Sequence, residues 1–380
     1  MIQSIKNYPV NWIDGMKISK DHLIKQENFV LDLVRDSNSV FINQYNYGII
    51  PAFDEQYNRS ILEINITATE DAELIIKKCS AITIIGHRIE LENQTINFRK
   101  LVNNLNNEVN SDIEYYVIAS VNLFEKIPFG EIDPNEIPPR NPYTKPSYKI
   151  ELIEVSTIRG SLSGGNYLIL GNVIINSGTV GANLDYIPPC TSIMSHPKLV
   201  EYNNSLFSLY GNIRKNALNI IQKEANKKQN TALANNIKAL CKIIVNHVST
   251  NYFKLRNTIT SLPPIYLVET YSQLGLYLHN EIKMILTSEV EEMLGYCFEW
   301  TEIAPHTLKN ALAVVADLKY DHINSGESLT QIDKLFNILN LIFSKLNELD
   351  YLGQRKENII VNEQEVIIKK DNYQGWSVID

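Results

Sequence analysis

The chain has 380 residues, of which 44% are hydrophobic and 21% charged, an ordinary composition for a globular protein. This length is sufficient for two or three domains with separate hydrophobic cores. The formal net charge is −8. That balance argues against a nucleic-acid-binding protein, because phosphate binding requires clustered lysine and arginine side chains.

The sequence does not predict secretion, membrane insertion or metal binding. Its first residues lack the apolar segment of a signal peptide, and no apolar run approaches the roughly 20 residues of a membrane span. The four cysteines are far apart and form no Cys-x-x-Cys pair: Cys79, Cys190, Cys241 and Cys297. Because neither a disulfide framework nor a zinc site is predicted, we expect a cytoplasmic protein with reduced thiols.

The first predicted element is a tight turn that leads into a helix. Gly15 can adopt a positive φ, and the large indole of Trp12 is expected to be buried and to anchor the turn. A polar run that contains His22 follows and has the composition of a helix start. The segment therefore predicts a fixed turn near the N-terminus.

The rest of the N-terminal half predicts β-strands. Leu62, Ile64 and Ile66 alternate with polar residues, the mark of a strand with one buried face. Further strands are predicted at residues 39–44, 73–79, 81–91, 113–123, 148–155 and 166–175. Because no helical pattern separates these strands, they favour an antiparallel β-sandwich over a parallel sheet.

A proline-rich segment interrupts the predicted strands. Residues 126–147 contain six of the chain's 14 prolines. Proline cannot donate to a sheet and favours extended, polyproline-like backbone. The segment is therefore either a surface loop or a stiff arm that lies across a neighbouring molecule, with Tyr143 and Tyr148 as amphipathic anchors.

After the paired prolines Pro188 and Pro189 the pattern becomes helical. Five amphipathic helices are predicted at residues 199–221, 233–259, 267–285, 308–318 and 328–349. Ser328, with Gln331 three residues later, has the spacing of a capping box, and the set predicts a helical bundle. A second apolar line consists of Cys241, Ile243 and Val245. It either fills the interior of the same bundle or faces another subunit.

The chain thus divides into a β-sandwich domain at 1–186, a helical bundle at 187–350 and a short tail at 351–380. In the tail, apolar runs around Ile360 and Ile367 predict a β-hairpin. An isolated hairpin is marginal in water, so we expect it to pack on a partner, with Trp376 as an anchor. The overall fold class is α+β with several domains.

No group of residues has the spacing of a catalytic site. The seven histidines never fall in a His-x-x-x-His arrangement, so the zinc-protease pattern is not met. The run from Gly160 to Gly164 has Leu162 where a nucleophile elbow requires serine. We therefore predict neither an enzyme nor a bound cofactor.

Four motifs, in this order along the chain, resemble TssK-type baseplate subunits of type VI secretion systems. They are the turn of Trp12, Gly15, Met16 and His22, the aromatic–glycine step at 45–49, the Ile-Pro-Pro junction at 187–189, and the Tyr-Asp-His element at 320–322. Lys20 and Asp21 replace the family's usual Pro-Gln, and Leu23 replaces its usual Phe. The junction coincides with the change from strands to helices.

The resemblance implies a homotrimeric structural adaptor in a cytoplasmic baseplate, at the inner face of the bacterial inner membrane. A β shoulder, similar to that of phage receptor-binding proteins, would bind the TssF–TssG wedge, and a helical neck would follow. Expected wedge or subunit contacts are Trp12, Met16, His22, Tyr47, Phe129, Tyr143 and Tyr148. By the same resemblance Cys241, Ile243 and Val245 become candidate trimer contacts in the neck.

The tail departs from the family pattern. Typical members continue into a sizeable C-terminal domain that docks on the TssJ–TssL–TssM membrane complex, whereas residues 351–380 are too few for an independent core. We therefore expect a membrane-anchor partner of other identity, bound through Ile360, Ile367 and Trp376. A competing interpretation is a trimeric receptor- or glycan-binding tail protein of a phage-like contractile particle, which would share the β shoulder.

Overall fold

The computed structural model describes residues 5–51, 62–66, 72–97, 113–157, 165–176, 179–227 and 230–356. Its first half contains one helix and eight strands within these ranges: α1 (Lys20–Ser39), β1 (Gly48–Ile49), β2 (Leu62–Ile66), β3 (Ala72–Ile82), β4 (Arg88–Asn97), β5 (Ile113–Phe129), β6 (Tyr143–Glu154), β7 (Tyr167–Asn176) and β8 (Thr179–Ala182). Six helices follow: α2 (Pro197–Lys227), α3 (Ala232–Asn257), α4 (Ile265–Met284), α5 (Thr287–Thr301), α6 (Pro305–Ala316) and α7 (Ser325–Glu348). The chain is therefore a mixed α+β protein, as predicted.

The strands form two antiparallel sheets of four strands each. In the first sheet, β3 is central and pairs with β1, β2 and β4. The second sheet has the order β6-β5-β7-β8. The hydroxyl oxygen of Tyr148 in β6 accepts a hydrogen bond from the backbone N–H of Glu90 in β4 at 3.2 Å. This contact joins the edge of the second sheet to the first.

The proline-rich segment continues the β5–β6 hairpin. After a bulge between Asn122 and Lys126, the strands pair again as far as Phe129 opposite Tyr143. The prolines are tolerated here because this part of the hairpin is a two-stranded ribbon with free edges. The expected polyproline-like backbone is therefore wrong at both ends of the segment, which are β-strands, and residues 130–142 connect them.

Helix α1 extends further than the sequence predicts. It continues through Ser39, so the strand predicted at 39–44 is wrong. The residues after it form a turn in which Asn46 accepts the backbone N–H of Asn43 at 2.6 Å and donates to the carbonyl of Phe41 at 2.8 Å. Asparagine side chains thus satisfy backbone groups that a strand would have paired with a neighbour.

The helical half buries the predicted apolar stripes. At its centre the rings of Tyr210 and Tyr271 lie 5.3 Å apart, and those of Tyr271 and Phe336 lie 5.0 Å apart, both edge to face. The five predicted helices are confirmed, whereas α5 was not predicted. Helix α7 begins three residues before Ser328, after Asn324, so the proposed capping box is wrong and Ser328 is buried within the helix.

Buried side chains of both sheets and of α2–α7 form one continuous hydrophobic cluster. Cys241 is 0% exposed inside it, so its predicted role as a trimer contact is wrong. Ile243 and Val245 are half-buried and pack against the same cluster, and residues two apart do not share a helix face. These positions therefore fit the interior of the chain's own helices better than a subunit interface.

Candidate functional site

The strands and the helices meet at a joint that three distant segments build. Residues 45–49, 187–189 and 320–322 come together there, and each carries one of the motifs singled out in the sequence. Ile49 pairs with Cys190 in a parallel bridge, while the rings of Tyr45 and Tyr320 lie 6.0 Å apart. The joint therefore places the end of the strand half directly against the segment that precedes α7.

Backbone contacts hold the joint closely packed. The N–H of Ile49 donates to the carbonyl of Pro189 at 2.8 Å, and the N–H of Thr191 donates to the carbonyl of Ile49 at 2.9 Å. Gly48 has a φ of +118°, and a Cβ atom at this position would lie 2.1 Å from the carbonyl oxygen of Pro189. Only glycine fits both the conformation and the space.

His322 links the helical side of the joint to β1. Its Nε2 lies 2.9 Å from the carbonyl oxygen of Tyr47 and must carry the proton, since a carbonyl only accepts. In the neutral ring, Nδ1 then accepts from the hydroxyl of Tyr320 at 2.8 Å. Burial lowers the pKa of His322, which favours this neutral form. The imidazole therefore acts as a fixed neutral connector.

A second set of contacts secures the start of α7. The hydroxyl of Tyr186 donates to the carbonyl of Ile323 at 2.7 Å, and its ring lies 5.6 Å from that of Tyr116 in β5. A Cβ atom on Gly326 would lie 2.8 Å from the carbonyl oxygen of Asp185. The buried polar groups of Tyr186, Tyr320 and His322 are paired and neutral, while the exposed carboxylate of Asp321 accepts the N–H of Ile323. The arrangement therefore positions the two halves relative to each other.

Helix α1 lies against the β3–β4 turn of the first sheet and holds the N-terminal segment through a buried polar contact; we call this region the α1 dock. The carboxylate of Asp32 accepts the backbone N–H of Asn7 at 2.9 Å and pairs with Arg35 at 3.0 Å. Both side chains are almost fully buried. The helix contacts the β3–β4 turn at Gly86. Next to it, the pKa of His87 is lowered to about 4, chiefly by burial and also by the nearby Arg35, against the opposite effect of Asp32.

Comparison with known proteins identifies the architecture. No protein-family model matches the chain, and no curated protein matches its sequence. A crystal structure of TssK superposes with a TM-score of 0.50 and 13% identity, covering 88% of this chain and 69% of that one. The fold is of the TssK type.

Two further TssK structures are similar at lower scores. One is TssK from the EAEC type VI secretion system in complex with a nanobody, with a TM-score of 0.46 and 11% identity over 84% of this chain and 99% of that one. The other is a TssK-TssF-TssG baseplate subcomplex, with a TM-score of 0.44 and 12% identity over 90% of this chain and 100% of that one.

The N-terminal motif lies on the surface of the structure. The side chain of Trp12 is 47% exposed, so the predicted burial of its indole is wrong. Its ring lies 6.0 Å from that of His22. The turn itself is confirmed, because Gly15 has a φ of +77° and the N–H of Met16 donates to the carbonyl of Ile13 at 3.2 Å.

His22 has a structural role at the start of α1. Its Nδ1 accepts the backbone N–H of Ser19 at 3.2 Å, while Ser19 occupies the N-cap position. This is the reciprocal arrangement of a capping box, with histidine in place of the usual glutamate. The half-buried His22 and Met16 therefore support the turn from which Trp12 projects.

The predicted contacts of the proline-rich segment separate into two groups. Phe129 and Tyr143 are 52% and 66% exposed and pair across the hairpin, with the ammonium of Lys145 5.3 Å from the centre of the Phe129 ring. Tyr148 instead joins the two sheets, as described above. Tyr47 belongs to the joint, so the seven predicted contacts do not form one surface.

Ile360, Ile367 and Trp376 lie outside the described residues. Across the described ranges, no helix is long and apolar enough to cross a membrane, and no cluster of three histidine, cysteine or acidic side chains has the arrangement of a metal site. Sequence reasoning missed Asp32 and Arg35, whose only signal is a pair of opposite charges within an otherwise apolar run of α1.

Proposed function

We propose that the chain is a divergent TssK-type subunit of a type VI secretion baseplate, acting as a structural adaptor. The observation that carries this proposal is the joint. Three motifs of the resemblance, separated by more than 100 residues each, meet there through the contacts of Gly48, Pro189 and His322. The fold shared with TssK supports the same interpretation.

In this proposal residues 1–186 form the shoulder, whose two sheets pack as a sandwich, and residues 187–350 form a helical neck. The paired, neutral buried groups at the joint suit a structural adaptor, because they fix the orientation of the strand half relative to the helical half. We expect the shoulder to bind the TssF–TssG wedge and three copies to assemble as a homotrimer. Residues 351–380 would connect to a membrane-side partner in the cytoplasm.

The exposed aromatic pair on the β5–β6 hairpin is the proposed wedge contact. Phe129 and Tyr143 lie on the same face of a two-stranded ribbon and are more than half exposed. Aromatic side chains supply large contact area at a small cost in side-chain entropy and are enriched in interface hot spots. Trp12 on the N-terminal turn offers a second contact of the same kind.

Native mass measurement of the purified protein, alone and with TssF and TssG, tests the proposal. A trimer that forms a stable complex with the wedge proteins is the expected result. A monomer that ignores them contradicts the proposal. Binding to a glycan array without wedge association would instead indicate the receptor-binding tail protein.

A variant locates the contact. Replacing Phe129 and Tyr143 together by serine should weaken wedge association at least tenfold, a loss of about 1.4 kcal/mol or more, because aromatic side chains are frequent interface hot spots. Phe253→Ser is the control, because Phe253 is an exposed aromatic residue on α3, far along the chain from the hairpin, at 73% exposure. Equal weakening by both variants would remove the hairpin from the proposed contact.

A further inference from the structure

Helix α1 directs its polar side to the protein and its apolar side to the solvent, the reverse of the usual arrangement. The side of α1 that faces the first sheet contains the buried Asp32 and Arg35. On the opposite side, Leu23 and Leu33 are each 56% exposed, and Val40, the C-cap residue directly after the helix, is 73% exposed. A helix in a globular protein normally directs its apolar side to the core. The exposed side of α1 is therefore built to be covered by something other than this chain.

The spacing of the exposed residues indicates which type of secondary structure would pack against them. Leu23, Val30, Leu33 and Val40 follow one another at intervals of seven, three and seven residues, which are positions a, a, d and d of successive heptads. We call this line the α1 seam. A spacing of 3.5 residues keeps such a line facing a neighbouring helix along its length. The seam therefore fits a helix better than an extended strand.

Open space lies along one flank of the seam. A groove of about 630 Å³ separates α1 from the base of the β5–β6 hairpin, with Leu23 and Val30 on one wall and Lys126 and Pro146 on the other. The acidic side chains beside the seam are already paired, Glu27 with Lys126 and Asp36 with Arg35. Covering the seam therefore buries apolar surface without stranding these two carboxylates.

We propose that the α1 seam is covered by α1 of a second copy of this chain. This inference rests on the homotrimer of the proposed function and gives it a contact in the shoulder. In parallel, in-register helices, each residue lies opposite the same residue of the other copy. The apolar seam residues then contact each other, and so do the polar residues Gln26 and Ser37 that lie between them. Such polar layers fix register in helix pairs.

The same arrangement explains the groove. In a ring of copies, each α1 has one neighbour on either flank, and the groove leaves room for the neighbour on the hairpin side. The seam covers only about two and a half heptads, which is short for an independent helix assembly. Other contacts between the copies, in the neck or elsewhere, are therefore expected to assist it.

Cysteine cross-linking of the full chain tests the proposal. The four native cysteines are buried and unpaired, so an introduced surface thiol is the reactive group. Leu33→Cys places a thiol on the seam, where identical residues of parallel helices face each other. Lys25→Cys, an exposed position on the same helix but off the seam, is the matched control. Under mild copper–phenanthroline oxidation, Leu33→Cys should form cross-linked dimers at least tenfold faster.

The outcomes separate this inference from the proposed function. Cross-linking at Leu33 in a protein that ignores the wedge proteins supports the seam and contradicts the adaptor. A wedge-binding trimer in which Leu33→Cys reacts no faster than Lys25→Cys contradicts the seam and leaves the adaptor in place. A protein that stays monomeric at all concentrations contradicts the seam as well.

Discussion

The first sheet carries two attachments of opposite chemistry. At the α1 dock, helix α1 contacts the β3–β4 turn at Gly86 and carries a buried ion pair between its own Asp32 and Arg35. The helical half is attached at the joint by closely packed backbone around Gly48 and by the neutral His322. Helix α1 directs polar side chains to the sheet, so its apolar side chains remain exposed and available to another molecule. At the joint, by contrast, the apolar and polar groups are buried against other parts of the same chain.

The two attachments should also differ in stability. A buried ion pair loses much of its Coulomb attraction to the cost of removing both charges from water, so its net stabilisation is small. The joint has no such cost and continues into the main hydrophobic cluster through Ile49, Ile187 and Cys190. We therefore expect α1 to open before the joint does, as a local unfolding event.

The largest expected effect is at the joint. Gly48→Ala puts a Cβ atom into the carbonyl group of Pro189 and forces a non-glycine residue to a φ of +118°. Unfolding free energy measured in urea should fall by about 3 kcal/mol or more, since overpacking and an unfavourable φ add. Gly15→Ala is the control, with a φ of +77° but open space around it, and should cost only about 1–2 kcal/mol. Equal losses would mean that the joint is not closely packed.

The next effect is confined to α1. Asp32→Ala removes the acceptor for the backbone N–H of Asn7 and one of the two carboxylates that pair with Arg35. Because Asp36 still pairs with Arg35, the expected cost is about 1–3 kcal/mol, below the roughly 3–5 kcal/mol of a fully unpaired buried charge. Hydrogen exchange should rise throughout α1 while α7 stays protected. The control Asp36→Ala removes the other carboxylate, which is partly exposed at 30% of its side-chain area, and should have a smaller effect. Uniform loss of protection would contradict a separate α1 dock.

A smaller effect follows from pH. The pKa of His87 is about 4 in the folded protein and about 6.5 when unfolded, so the unfolded state takes up the proton first as pH falls. The stabilisation is complete above about pH 6.5 and is lost progressively toward pH 4. Between pH 7.5 and 5.5 this histidine alone lowers the unfolding free energy by about 1.4 kcal/mol.

The measurement compares urea unfolding at these two pH values in the wild type and in two variants. His87→Gln should lose less stability on acidification than the wild type. His306→Gln, at an exposed histidine of α6, should keep the wild-type pH dependence. If the unfolding free energy of His87→Gln depended on pH as strongly as that of the wild type, the buried His87 would not be the source of the pH dependence.

Local patterns were sufficient to predict most of the fold. Alternation and helical spacing located β5 and α2, because these periods are properties of consecutive residues. The strand predicted at 81–91 is wrong, since β3 continues through Ile82 and β4 begins at Arg88, with the turn at Gly86 between them. The same spacing is present in α5 at Val290, Met293, Leu294 and Cys297, which are buried, but Gly295 and adjacent glutamates obscured it. The strand predicted at 39–44 failed because apolar Val40 and Phe41 are exposed rather than directed to a core.

The candidate site could be predicted only in part. Its motifs were visible in the sequence, but the contact between His322 and Tyr47 joins residues 275 positions apart, and no local period encodes it. Trp12 failed for a different reason. A large apolar side chain is expected to be buried, but the sequence alone does not distinguish burial in the core of the same chain from burial at an interface with another molecule.

The smallest expected effect on the stability of the single chain is on the α1 seam. Leu33→Ala removes a side chain that is 56% exposed, so at low protein concentration the unfolding free energy should change by less than about 0.5 kcal/mol. Leu335→Ala in α7 is the matched control, because Leu335 is 0% exposed and the same truncation should cost about 2–5 kcal/mol. Raising the protein concentration should stabilise the wild type more than Leu33→Ala, since only association covers Leu33. Identical concentration dependence in both proteins would mean that the seam stays exposed in the assembly.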